Sequence, residues 1–142
     1  VSAFLLNRSS DLPTMDWHLV VIDDVEACRE ASNYPPGTGF AGDCSELGEL
    51  SDPSMAILLT RHFKQDVAIL SYLSKQSMDF VGMMGSRQRV GHVLEACREK
   101  GVSESFLAGV HAPVGMDIGA ETPEEIAISI LAQVIAHRHQ TP

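Results

Sequence analysis

Short runs of apolar residues that do not alternate with polar ones constrain this chain more than any other feature. Val1–Leu6, Leu19–Ile22, Met55–Leu59 and Phe80–Met84 are each almost continuously apolar. A strand with one wet face would alternate, whereas a continuous run suits a strand buried on both faces, as in a parallel sheet covered by helices. Between the runs the period lengthens. Asp66–Gln76 and Arg87–Lys100 read as helices, the second with Val90, Val93, Leu94 and Cys97 on one stripe and Gly101 as its C-terminal stop. This alternation predicts an α/β fold, a three-layer Rossmann-like open, mostly parallel sheet with right-handed crossovers. Its first βα unit is shortened, because NRSSDLPTMDW between the first two strands has room for barely one short helix.

The last helix announces its start. In Thr122-Pro123-Glu124-Glu125 the threonine can cap orphan amides, proline suits the first turn and Glu125 can close a capping box. Ile126, Ile130, Leu131, Val134 and Ile135 then form a wide apolar stripe, so this helix is expected to pack as a core helix. His137, Arg138 and His139 place cations near its negative end. Asn7–Asp16 and Asn33–Asp43 read as loops, the second with a short edge strand near Phe40.

With 142 residues the chain suits one core, so a single domain over 1–142 is expected. A net charge of −9 repels phosphate backbones and anionic bilayers, which argues against broad nucleic-acid or membrane-surface binding. Neither a spanning segment nor a signal-peptide pattern is evident, and a cytoplasmic location is expected. The three cysteines Cys28, Cys44 and Cys97 are widely spaced, without a CxxC, so reduced thiols are expected and a structural zinc site is not. GxSxG and HExxH are missing, which removes the usual signatures of covalent and zinc hydrolysis and leaves no catalytic residue to nominate.

In open α/β sheets ligands lie beyond the carboxyl ends of the strands. That rule selects Asp23-Asp24, Thr60-Arg61-His62, Gly85-Ser86-Arg87 and the stretch HAPVGMDIGAETPEEIA from His111 to Ala127. Strand, Gly85-Ser86-Arg87, helix is a geometry that can cradle an anion, with Arg87 and Arg89 adding positive charge; Ser86 as a plain helix cap fits equally. Asp23-Asp24 suits ribose hydroxyls or simple loop capping, and the GxGxxG that should precede a dinucleotide site is absent. Thr60 and His62 suit a polar ligand or an ordinary loop hydrogen bond, and Cys44 a reactive or an inert thiol. Gly115 and Gly119 are the residues that close backbone approach requires, to a ligand or to a neighbouring element, while His111 and Asp117 fit either a ligand wall or a turn.

DFVGMMGSRQR followed by HAPVGMDIGAETPEEIAISILAQVIAHR resembles the C-terminal Rossmann-like domain of the XdhC/CoxI family, accessory proteins of xanthine dehydrogenase and related molybdenum hydroxylases. HLVVIDD, YPPG and LLTRHFKQDVAIL are similar to further segments of that domain, so the resemblance runs from about His18 to Arg138. It implies a protein that binds the molybdenum cofactor (molybdopterin), protects it during sulfuration and passes it to an apo-hydroxylase, rather than one that turns over substrate. A cysteine desulfurase and the molybdenum hydroxylase apoenzyme are the implied partners. Carried over by position, Gly85, Ser86 and Arg87 would hold phosphate, and His111, Gly115, Asp117 and Gly119 would form a second wall. The family's additional N-terminal domain and its Gly-rich turn after the first strand have no counterpart here. Two other readings remain open: an NAD(P)-dependent oxidoreductase domain, and an interaction module without a small ligand that uses its last helix for docking or for a homodimer.

Overall fold

The computed structural model describes residues 3–8, 17–23, 26–34, 36–50 and 54–140. Among these residues six strands, β1 (Ala3–Arg8), β2 (Trp17–Ile22), β3 (Gly39–Ala41), β4 (Ser54–Leu58), β5 (Met78–Met83) and β6 (Val110–His111), form one sheet in the order β3-β2-β1-β4-β5-β6. The helices accompanying them are α1 (Phe63–Leu73), α2 (Arg87–Glu99), α3 (Glu104–Ala108) and α4 (Pro123–Gln140). The α/β class and the mostly parallel sheet are as the apolar runs indicate, including the edge strand at Phe40. The two-residue β6 and five-residue α3 carry too little periodicity to be read from sequence.

One strand runs against the rest. β2–β3, β4–β5 and β5–β6 pair in parallel, but β1 is antiparallel to both β2 and β4. Residues 9–16 are all that separate the paired Arg8 and Trp17. A parallel crossover needs a dozen or more residues, so a link of that length suits only an antiparallel return. The sheet therefore keeps the Rossmann strand order with its central strand reversed.

Alternate residues of the buried strands feed two cores. Ala56, Leu58, Val81 and Met83 pack with Val67, Leu70 and Leu73 of α1, Val90, Val93 and Cys97 of α2 and Leu107 of α3. On the opposite face Met55, Ile57, Phe80 and Val114 pack with Ile130 and Val134 of α4. Gly82 belongs to this second face, since a Cβ there would lie 2.5 Å from Val114 Cγ2. The result is the three-layer arrangement.

α4 departs from expectation. Its start is the capping box foreseen: Glu125 N–H donates to Thr122 Oγ1 (3.2 Å), while the Thr122 and Glu121 amides donate to Glu125 Oε2 (3.0 and 2.8 Å). Those amides hold the Glu125 carboxyl below its ordinary range. The stripe, however, is split. Ile130 and Val134 are buried, whereas Leu131 is 53% and Ile135 49% exposed. The sheet covers one side of the helix, and residues one position further round turn about 100° away from it. Among the described residues no helix is long and apolar enough to cross a membrane.

Candidate functional site

The carboxyl ends of β2, β3, β4 and β5 lie along one edge of the sheet. Asp23 follows β2 and is buried, its amide donating to Ala41 O of β3 (3.0 Å). Thr60 follows β4 and is also buried. Its hydroxyl accepts from the His62 amide (2.8 Å) and lies 3.2 Å from Gln65 Oε1, which fixes the turn into α1. His62 itself is exposed as the residue before α1, with no side-chain cap bond. Asp24 lies outside the described residues.

A cleft of about 360 Å³ opens beside Asp23, between the β2 and β3 ends and α1, lined among others by Asp43, Cys44, Gln65, Ile69 and Tyr72. Asp43 caps the short 3-10 turn Cys44–Glu46 through the Ser45 amide (2.6 Å), and its carboxyl is lowered first by the Ser45 hydroxyl and then by that amide. Burial, aided by Asp43, pushes the Cys44 thiol up to about 11, so at neutral pH it is a protonated, weakly nucleophilic lining group. Tyr72 donates its hydroxyl to Gly48 O (2.6 Å) and presents its ring as a wall.

Gly85-Ser86-Arg87 continues the edge into α2. Ser86 caps the helix, Oγ accepting from the Arg89 amide (3.2 Å). Arg87 is exposed. A Cβ on Gly85 would make only ordinary contacts, 3.6 Å to Arg89 Cδ, so it is the backbone, with φ +157°, and not a neighbouring side chain that favours glycine there. The strongest electrostatic feature is one that residue spacing does not announce: Asp66 of α1, 1% exposed, ion-pairs through Oδ2 with Arg89 of α2, while its Oδ1 is buried without a hydrogen-bond partner. Burial raises the Asp66 carboxyl and the Arg89 cation opposes that rise. The pair fixes Arg89, 26% exposed, beside Gly85 with donors to spare. The available signal was an acid on the inward face of α1, in step with Leu70 and Leu73; a buried acid needs a cation.

The expected second wall divides. The loop after β6 does leave from this edge, with Val114 N–H donating to Met83 O (2.9 Å), and Asp117 and Gly119 on it are exposed. His111 and Gly115 instead belong to the α4 face. The His111 ring stacks on Phe80 (centroids 4.5 Å, interplanar 11°), stands edge-on to His137 at 5.8 Å and meets Gln133 Nε2 at 3.3 Å through Nδ1. Burial, then His137, lowers its pKa. A separate cleft of about 320 Å³ lies here, lined by His111 and His137 with Met78 and Asp79 from the start of β5. The Gly115 amide donates to Gln133 Oε1 (2.7 Å), its φ is +116°, and a Cβ would stand 2.6 Å from Ser129 Oγ. This glycine is required by the approach of α4.

Chemically, the carboxyl edge offers an anion position at the start of a 13-residue helix, guanidinium groups and, further along the same edge, a cleft with carboxylates for polar hydrogens. The profile described as the XdhC Rossmann domain matches residues 10–134. The uncharacterized protein YqeB of Escherichia coli is 37% identical over 122 residues, which span 80% of this chain and 22% of YqeB. A probable xanthine dehydrogenase subunit of Bacillus subtilis is 36% identical over 83 residues, 58% of this chain and 23% of that protein. The crystal structure of a xanthine dehydrogenase from Bacillus halodurans superposes with a TM-score of 0.70 at 28% identity, covering 87% of this chain and 36% of the other. This chain thus spans well under half of each of these relatives.

Proposed function

We propose a function from one premise, that the chain belongs to the XdhC Rossmann-domain family: it is a molybdenum-cofactor-binding accessory domain that serves the maturation of a xanthine dehydrogenase-type molybdenum hydroxylase. The observation that carries this reading is the Asp66–Arg89 pair, which holds a guanidinium beside Gly85 at the start of α2, on the same sheet edge as the Asp23 cleft. The residues suit the group. A phosphate would take the first amides of α2 with Arg89 and Arg87, and the polar edge of a flat heterocycle would meet the carboxylates of Asp23 or Asp43 between Ile69 and the Tyr72 ring. Bound there, the cofactor would supply molybdenum redox chemistry to the enzyme that receives it; this chain's part is to hold and orient it and limit its exposure to water. The apo-hydroxylase and a cysteine desulfurase are the partners this role requires, in the cytoplasm.

The test is to purify the chain from a host that makes molybdopterin and quantify bound pterin by fluorescence after oxidation. Pterin well above background, reduced at least tenfold in Arg89→Ala and less in Arg87→Ala, is expected. Background pterin in all three proteins would sink the proposal.

Asp23, buried beside a cleft at the end of β2, favours a second reading, a nicotinamide-nucleotide site. Against it stands the reversed β1: Ala3 pairs with Ile22 and Leu58, so the start of β1 lies where a dinucleotide fold places its glycine-rich turn. Calorimetric titration with the nicotinamide nucleotides separates the two; heat of binding at micromolar ligand would favour this alternative.

A further inference from the structure

Asp66 is only half satisfied by its partner. One guanidinium nitrogen of Arg89 donates to its Oδ2, while its Oδ1 is buried with no hydrogen-bond partner. With 1% of its side chain exposed, the carboxylate has almost no water to fall back on, so its charge depends on the cations near it. The titratable groups that act on it are Arg89, then more weakly His62 just ahead of α1, and the Cys97 thiol of α2. Burial raises that thiol, and Asp66 adds to the rise, so Cys97 stays neutral and supplies no charge. Arg89 is therefore the main support of the carboxylate. The same side chain is the partly exposed one beside Gly85 at the start of α2.

An anion at the start of α2 thus meets a cation already committed to a carboxylate that cannot rehydrate. Asp66 and Arg89 together are neutral, and a dianion added to them leaves two negative charges around one guanidinium and the helix amides. A proton on the Asp66 carboxyl removes one of those charges and releases the Arg89 nitrogen to the anion. We infer that a dianionic oxyanion group, a phosphate ester or sulfate, binds at Gly85 and Arg89 together with one proton taken up by Asp66. The proton comes from solvent, and no bond of the anion is made or broken. The inference rests on the phosphate position proposed above, but not on the cofactor that would bring the phosphate. Its sign is fixed by linkage. The carboxyl keeps its proton to higher pH with the anion bound than without it, so affinity falls by up to about tenfold per pH unit as pH rises between those two ranges, and is flat outside them.

Sulfate, which stays a dianion throughout, is the probe for calorimetric titration of the whole chain from about pH 7 to about pH 4.5, at constant ionic strength, in two carboxylate-free buffers of different ionisation enthalpy. The wild type is expected to take up close to one proton per sulfate and to bind roughly tenfold tighter at the acid end. Asp66→Asn, nearly the same shape without the charge, should bind sulfate with little pH dependence and no uptake, whereas His62→Gln should keep the uptake. Infrared difference spectra of the wild type need no substitution: sulfate should convert a carboxylate band into a protonated carboxyl band. Uptake that disappears in Asp66→Asn stands even where molybdopterin fails to displace the sulfate, an outcome that removes the cofactor and keeps the linkage. No sulfate binding, no proton uptake by the wild type, or uptake that persists in Asp66→Asn overturns the inference.

Discussion

Two parts of the molecule carry the same kinds of residue to different ends. Around Gly85 the glycine answers a backbone φ of +157° rather than a crowding neighbour, and Arg89 is held, with donors to spare, by an aspartate that gives up its own hydration to do so. Around Gly115 the glycine is forced by Ser129, the histidine is stacked on Phe80, and the free-looking amide is taken up by Gln133. The difference lies in what is left over. Around Gly85 the fold leaves donors unspent, whereas the packed junction around Gly115 uses each group for itself.

The largest effect should come from separating the charges. Arg89→Ala leaves the Asp66 carboxyl buried without its cation and is expected to cost about 3 kcal/mol in urea unfolding, toward the low end for a broken buried pair because Arg89 is partly exposed. Asp66 already binds its proton more readily than an ordinary carboxyl near 3.8, and losing Arg89 raises it further. The folded state then holds the proton that the unfolded state releases, so the deficit should shrink as pH falls towards 4 and widen above it. Asp66→Leu combined with Arg89→Met should recover stability but not pterin, which divides the fold's use of the pair from the ligand's.

Next comes Gly115→Ala, expected to cost roughly 2 kcal/mol from the positive φ and the Ser129 contact, read as a lower thermal midpoint. Pterin bound per folded molecule should not change; a selective loss of pterin would break the distinction between the two regions. Thr122→Ala removes the hydroxyl half of the α4 capping box and should cost about 1 kcal/mol. The smallest effect is the proton on His111. Its folded pKa lies below the ordinary 6.5, so the unfolded chain binds the proton first and stability is lost as pH falls through 6.5 towards the folded value. His111→Gln should flatten that slope in thermal melts between pH 7 and 5.

What could be read from sequence was whatever one element decides alone. Continuous apolar runs place the buried strands because both faces are covered, and Thr122 with Glu125 closes a cap within four residues. Pairing was harder to read. The composition of β1 carries no direction; only the short link to β2 does. Leu131 and Ile135 continue the same apolar stripe as Ile130 and Val134, and which of them meets the sheet depends on how α4 sits. At the carboxyl edge, Gly85, Ser86, Thr60 and Asp23 follow from the rule that ligands lie at strand ends. Asp66 does not, because its partner is 23 residues away in another helix. His111 misleads for the related reason that a two-residue strand does not declare which face its side chains take.

Hydrogen–deuterium exchange with and without molybdopterin tests the central claim most directly, because it reports on both regions at once. Binding at the carboxyl edge predicts slower exchange in peptides covering Gly85–Val90 and Ala41–Glu46, and no change in those covering Val110–Ala112 and Gln133–His137. Protection confined to the His111–His137 cleft, or no protection in any peptide at saturating ligand, would contradict it.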